Sequence, residues 1–184
     1  PVSFSGQIRC EVLLTIEDWE ELVKDLPPEE RKNPRNKGNG IMGRSNGSDS
    51  EMLTCLAFDM AGVNDKVFER LGVETETQKF ETLEKLGFQT VRWVVADNAD
   101  EIIQWYLDVT SQRPDLPYWI DGVVLRVDNI ANSRKLGIRD NRPKGQIAWK
   151  FEDEGADTEL LSVELTVGHT GAIIPTGNFK PVEI

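Results

Sequence analysis

Three charged side chains stand on apolar, strand-like runs of this sequence: Asp121 and Arg126 within residues 118–127, and Lys150 within Ala148-Trp149-Lys150-Phe151. Side chains alternate across a strand, so Asp121, Val123 and Leu125 share one face while Gly122, Val124 and Arg126 share the other. Lys150 lies between Trp149 and Phe151, where an ammonium withdrawn from water needs an anionic partner. Charges placed this way predict a buried site. The competing reading is two amphipathic strands with solvated charges.

The elements that must position these groups follow from periodicity. Residues 8–15 read as a strand, with Ile8, Cys10, Val12 and Leu14 on one face and Glu11 on the other. Residues 18–26 have helical spacing at Trp19, Leu22, Val23 and Leu26, stopped by Pro27-Pro28. Residues 31–50, crowded with Gly, Asn and Ser, read as a loop that gathers Arg31, Lys32, Arg35, Lys37 and Arg44. Strands are predicted over 52–60 and 90–95, and a helix over 77–86 with Gly87 as its C-terminal cap. A helix over 98–111 turns Ile102, Ile103, Tyr106 and Leu107 inward. The strands around Asp121 and Lys150 are separated by a polar excursion over 130–145. The alternating tail from 160 to 184 reads as two or three strands of a small β unit, after a body that ends near Gly155.

Composition narrows the classes. The 184 residues are 39% hydrophobic, enough for one sizeable core and an appended subdomain. With 21 Lys+Arg against 32 Asp+Glu the formal charge is -11, which argues against unassisted binding to polyanions and leaves local basic clusters to make any such contact. Two cysteines, Cys10 and Cys55, and one histidine, His169, form no zinc-ligand pattern. No apolar run has membrane-spanning length and no signal peptide is visible, so a cytoplasmic, reducing setting without a membrane partner is expected.

In order along the chain, Arg9-Cys10-Glu11-Val12, Asn33-Pro34-Arg35-Asn36, Ile120-Asp121-Gly122-Val123-Val124 and Ala148-Trp149-Lys150-Phe151 resemble the motif series of the NAD-dependent DNA ligases. The stretch from Val167 to Ala172 is similar to the start of that family's OB-fold domain. The resemblance implies an α/β (α+β) nucleotidyltransferase fold, ATP-grasp-like, with antiparallel sheets and flanking helices. It places a partial adenylation domain over residues 1–156 and the first OB-fold strands over 157–184. It also implies, for the full-length enzyme, a role in DNA replication and repair. There a lysine attacks the α-phosphate of NAD, nicotinamide mononucleotide leaves, and AMP passes to a DNA 5′-phosphate before the nick in duplex DNA is sealed.

Roles for individual residues come with the resemblance. Glu11 would accept a hydrogen bond from a ribose hydroxyl, and Phe58 would stack on adenine. Asp121 would hold a magnesium ion directly or through water. Lys150 would neutralise the α-phosphate as charge builds on it. Arg126 stands where the family has lysine, keeping the charge and able to stack on the purine of NAD or AMP. Arg113 resembles a nucleotide-phosphate contact, and Arg35 and Arg44 resemble contacts to DNA phosphates.

The chain also departs from the family. No Lys-x-Asp-Gly motif occurs, so the lysine that would carry AMP is not among these residues. The nicotinamide-binding domain, the four-cysteine zinc module and the helix-hairpin-helix repeats are likewise missing, so zinc is expected only in modules outside this chain. Because the sequence opens with Pro1, a piece of a larger ligase or a degenerate relative is expected, unable to ligate alone. The competing classes are a non-catalytic nucleotide- or DNA-binding module descended from a ligase, and an ATP-using RNA ligase or capping enzyme.

Overall fold

Alternation of half-buried and exposed side chains sets up strand β1 (Gln7–Leu14), which pairs antiparallel with β2 (Leu53–Ala61) from Gln7↔Ala61 to Leu14↔Leu53. The computed structural model describes residues 5–61, 65–140, 142–152 and 155–182. The register shifts between Arg9, opposite Asp59, and Cys10, opposite Ala57, leaving Phe58 as the extra residue of a β-bulge. At that bulge Ala57 also pairs outward with the segment at Thr90, donating to Gln89 O (2.7 Å) and accepting from Val91 N (3.2 Å). The strand anticipated over 90–95 reduces to this one bridge. No further ladder supports it, and Val94 and Val95 are exposed.

Helix α1 (Ile16–Val23) starts earlier than its apolar spacing implied, because the Thr15 hydroxyl accepts from Asp18 N and caps it. The segment anticipated as a loop over 31–50 contains helix α2 (Pro34–Met42). Asn33 caps it by accepting from Asn36 N at 2.8 Å, and Pro34 fills the first helical position with φ already set. Gly38 is buried where a β-carbon would stand 3.6 Å from Leu14 Cβ, and Ile41 is buried, so packing on β1 offsets the low helix propensity of the glycines.

Helices α3 (Asp65–Leu71) and α4 (Glu76–Lys85) cover β2. Ala57, Met60, Phe68, Val73, Leu83 and Ile130 form one buried cluster, with Ile8, Cys10 and Leu71 packed at its edge. Gly87, at φ +89°, ends α4 as anticipated. Helix α5 (Ala99–Gln112) is capped by Asn98. Of the four side chains predicted to point inward, Ile102 and Tyr106 are half-buried and Ile103 and Leu107 exposed, and the buried side chain of the helix is that of Val109.

Strand β3 (Gly122–Arg126) pairs antiparallel with β6 (Gln146–Lys150), from Gly122↔Lys150 to Arg126↔Gln146. The intervening polar excursion contains helix α6 (Ile130–Lys135) and a short hairpin of β4 (Ile138–Arg139) and β5 (Arg142–Pro143). These elements complete the first of two compact units, residues 1–150. The second, residues 151–184, carries an antiparallel hairpin of β7 (Leu160–Val167) and β8 (Ile173–Phe179). Helices mixed with small antiparallel sheets give the α/β class predicted. Among the described residues no helix is long and apolar enough to cross a membrane.

Candidate functional site

Cross-strand pairing places side chains of facing residues on one side of the sheet, so Arg126, Val124, Lys150, Ala148 and Gln146 share a face of the β3–β6 ribbon. That face is open: Val124, Gln146, Ala148 and Lys150 are exposed and Arg126 is half-buried. It presents a guanidinium at one end, an ammonium at the other, and apolar Val124 and Ala148 between them. Gly122 and Arg126 are four residues, about 13 Å, apart along the strand. The opposite face carries Val123, which is buried.

At the Lys150 end, Nζ donates to Asp121 Oδ2 at 3.1 Å, supplying the anionic partner that the sequence demanded. The pair is not buried as anticipated: the two side chains are 69% and 72% exposed. Asp121 lies just before the strand, and Tyr106 engages the backbone of Lys150 instead of its ammonium. Trp149 stacks on Tyr106 of α5 with ring centroids 4.0 Å apart, and Tyr106 Oη donates to Lys150 O at 3.2 Å. Gly122 faces Lys150 so closely that a β-carbon there would lie 2.6 Å from Trp149 O and 2.8 Å from Lys150 Cα. The glycine after Asp121 is therefore a packing requirement.

At the other end, Arg126 crosses to β2. It donates to Phe58 O at 2.9 Å and to Glu76 Oε2 at 3.1 Å, and its guanidinium carbon lies 5.9 Å from the Phe58 ring centroid. The bulge puts Phe58 there by freeing it from the ladder. Glu76 opens α4, where its charge complements the helix dipole, and Thr75 and Gln78 form a capping box around it. The segment after β3 is stitched to the same turn: Asp128 accepts from Thr77 N and Oγ1 at 2.9 and 2.7 Å, and Glu76 N donates to Asp128 O at 2.8 Å. Charges alternate onward from Glu76 to Lys79 (2.7 Å), to Asp59 (3.1 Å) and to Arg9 (3.9 Å). Glu76, Lys79 and Asp59 escaped the sequence reading; their only signal was the Thr-x-x-Gln capping pattern beside an acid.

The remaining predicted residues lie on other elements. Glu11 is exposed on β1, paired with Leu56 one step beyond the bulge. Arg113 is half-buried at the end of α5. Arg35 is exposed on the first turn of α2. Arg44 is folded into its own loop, donating to Ser48 O (3.2 Å), Ser48 Oγ (3.1 Å) and Asp49 Oδ2. Beside the bulge, burial pushes the Cys10 thiol up to about 11, with a hydrogen bond to Cys55 adding to the effect. Asp121 offers a hard oxygen donor open to solvent, adequate for an ion that keeps most of its water. Among the described residues no cluster of three or more acidic, histidine or cysteine side chains could hold a metal unaided.

The family description "NAD-dependent DNA ligase adenylation domain" matches residues 3–154. Curated relatives named DNA ligase match nearly the whole chain. The Bacillus velezensis protein is 31% identical over 183 residues, 99% of this chain and 27% of its own length. The Bacillus subtilis protein is 31% identical over 181 residues (98% and 27%), and that of Brachyspira hyodysenteriae 32% over 181 (96% and 27%). The chain thus spans about a quarter of the length of these relatives.

Proposed function

The chain belongs to the NAD-dependent DNA ligase family through its adenylation domain, and from that premise we propose that it supplies the AMP and phosphate contacts of a ligase that seals nicks in duplex DNA. The open face of β3 and β6 carries this reading. Adenine stacks on the Phe58 ring beside the Arg126 guanidinium, the ribose crosses Val124 and Ala148, and the α-phosphate meets Lys150. Glu11 accepts from a ribose hydroxyl, Arg113 contacts a nucleotide phosphate, and Arg35 and Arg44 contact DNA phosphates.

Asp121 would hold magnesium, which would supply charge neutralisation at the phosphates. The work of this chain is otherwise positional. Trp149, Tyr106 and Gly122 fix the backbone from which Lys150 projects, so its charge is delivered to the α-phosphate from a set position on the strand. Glu76 and the Phe58 carbonyl fix Arg126. The nucleophilic lysine that accepts AMP from NAD, releasing nicotinamide mononucleotide, lies outside these 184 residues, since they contain no Lys-x-Asp-Gly. The β7–β8 hairpin is read as the start of the OB fold.

The test is an adenylation assay on a longer chain that carries the lysine motif. Such a chain takes AMP covalently from NAD and not from ATP, and Lys150→Ala lowers the rate by two or more orders of magnitude, about what loss of one preorganised charge contact costs. No adenylate with NAD and magnesium would sink the ligase reading. It would favour instead a nucleotide- or DNA-binding module, the alternative that the absent motif and the ion-paired Arg126 support.

A further inference from the structure

The β4–β5 hairpin is used by none of the roles above, yet it concentrates charge. Residues 134–144 hold Arg134, Lys135, Arg139, Arg142 and Lys144 against one acid, Asp140, in a chain of net charge -11. The hairpin pairs Ile138 with Pro143 and Arg139 with Arg142. Asp140 adopts φ 51°, the left-handed geometry that a two-residue hairpin turn requires. Directly opposed side chains share a face with β-carbons about 5 Å apart, so the two arginine side chains leave the hairpin from the same face. Like charges so opposed destabilise a ribbon. Asp140 relieves this only weakly, since it meets Arg139 at 3.5 Å with the two side chains 85% and 81% exposed. Among the described residues Arg142 has no ion pair. A shallow concavity of about 300 Å³ runs between Arg139, Asp140, Arg142, Pro143 and Lys144.

The hairpin is also held in place. Lys144 N donates to Gly137 O at 3.0 Å and Val127 N to Gly145 O at 2.8 Å, tying its base to the exit of β3. Gly145 is buried against Ser133 of α6 so closely that any β-carbon would collide with the Ser133 side chain. A hairpin anchored at its base with cation repulsion only weakly relieved is complementary to a closely spaced polyanion, and paired guanidinium forks suit phosphate oxygens.

We propose that this hairpin is a phosphate clamp for the backbone of duplex DNA, Arg139 and Arg142 converging on one phosphate and Lys144 reaching a neighbouring one. It rests on the ligase reading for the identity of the polyanion and adds a contact surface separate from Arg35 and Arg44. The test is fluorescence anisotropy of the chain with a labelled nicked duplex across a salt series. The Arg139→Ala/Arg142→Ala chain binds about tenfold or more weakly, and its slope of log K against log salt shrinks by about two. Circular dichroism checks its fold, and Asp140→Asn, which removes the one acid, tightens binding. A double variant with unchanged affinity and slope overturns the clamp, as does a chain that binds phosphatidylserine vesicles in preference to duplex. A wild-type chain that ignores duplex overturns both the clamp and the DNA part of the ligase reading. Duplex binding lost with the two arginines, alongside a lysine-bearing chain that takes no AMP from NAD, keeps the clamp and sinks the ligase.

Discussion

Glu76 receives both Arg126 and Lys79 on one carboxylate, with only 15% of its side chain exposed. Removing it leaves two cations without their shared partner in a half-desolvated position, whereas removing partners together does not. Glu76→Ala is therefore predicted to cost about 1–3 kcal/mol in urea unfolding, and Glu76→Leu combined with Arg126→Met and Lys79→Met to cost clearly less than the sum of the single changes. Additive losses would show that the groups act independently. Cys10 gives a second prediction at this scale. Its folded-state value is raised from 9.0 to about 11, so the fold favours the neutral thiol. Below pH 9.0 both states keep the proton and nothing is lost. Between pH 9.0 and about 11 the unfolded chain releases a proton that the folded chain retains, and stability falls with rising pH. Thermal unfolding across that range should show a drop that Cys10→Ser reduces, and alkylation should reach exposed Cys55 before Cys10.

Among the elements, α2 shows how a local cap and a packing contact together decide what composition leaves open. Asn33→Ala should cost about 1 kcal/mol in urea unfolding, the usual worth of such a cap, and Asn33→Ser should restore most of it. An unchanged midpoint for Asn33→Ala would mean that the packing of Gly38 and Ile41 alone holds the helix. The Asn-Pro pair that signals this start was present in the sequence, but the Gly/Asn content of the segment outweighed it. Elements with strong periodicity, β1, β2 and α4, were legible to within a residue or two, and so was Gly87 as a cap. The site was legible in part. Asp121, Arg126 and Lys150 drew attention as charges on apolar runs, and Lys150 does find an acid, but the pair lies in solvent because alternation tells which side chains share a face and not whether that face is covered. The Arg126–Phe58–Glu76 meeting was not readable. It depends on a one-residue bulge in β2 and on partners 68 and 50 residues away in sequence, to which periodicity is blind.

Across the whole molecule, burial is divided unevenly. Every buried aliphatic or aromatic side chain of the described set except Phe151 lies in residues 1–150, whereas in residues 155–182 the large apolar side chains are exposed, from Val182 at 44% to Val167 at 74%. The β7–β8 ladder is well formed, with Gly168 N donating to Ala172 O at 2.8 Å across its turn, and Asn178 Nδ2 reaching Ser162 Oγ and Glu164 Oε1 at 3.0 and 2.9 Å. Those bonds lie in water, where each contributes little net stability, and a two-stranded ribbon without a covered face is marginal. By contrast β2 carries Leu56, Ala57 and Met60 at 7%, 1% and 3% exposure, so its amides open only when the cluster around Leu83 opens. Local free energy therefore differs between the units although both contain regular strands. Native-state hydrogen exchange followed by mass spectrometry should show the β7–β8 amides exchanging orders of magnitude faster than those of β1 and β2. Leu83→Ala, which empties a fully buried position and should cost about 2–5 kcal/mol, should speed exchange in β2 and leave β7–β8 unchanged. Equal protection in the two hairpins, or a common response to Leu83→Ala, would mean that residues 155–182 unfold only with the larger unit and that their apolar faces are covered in solution.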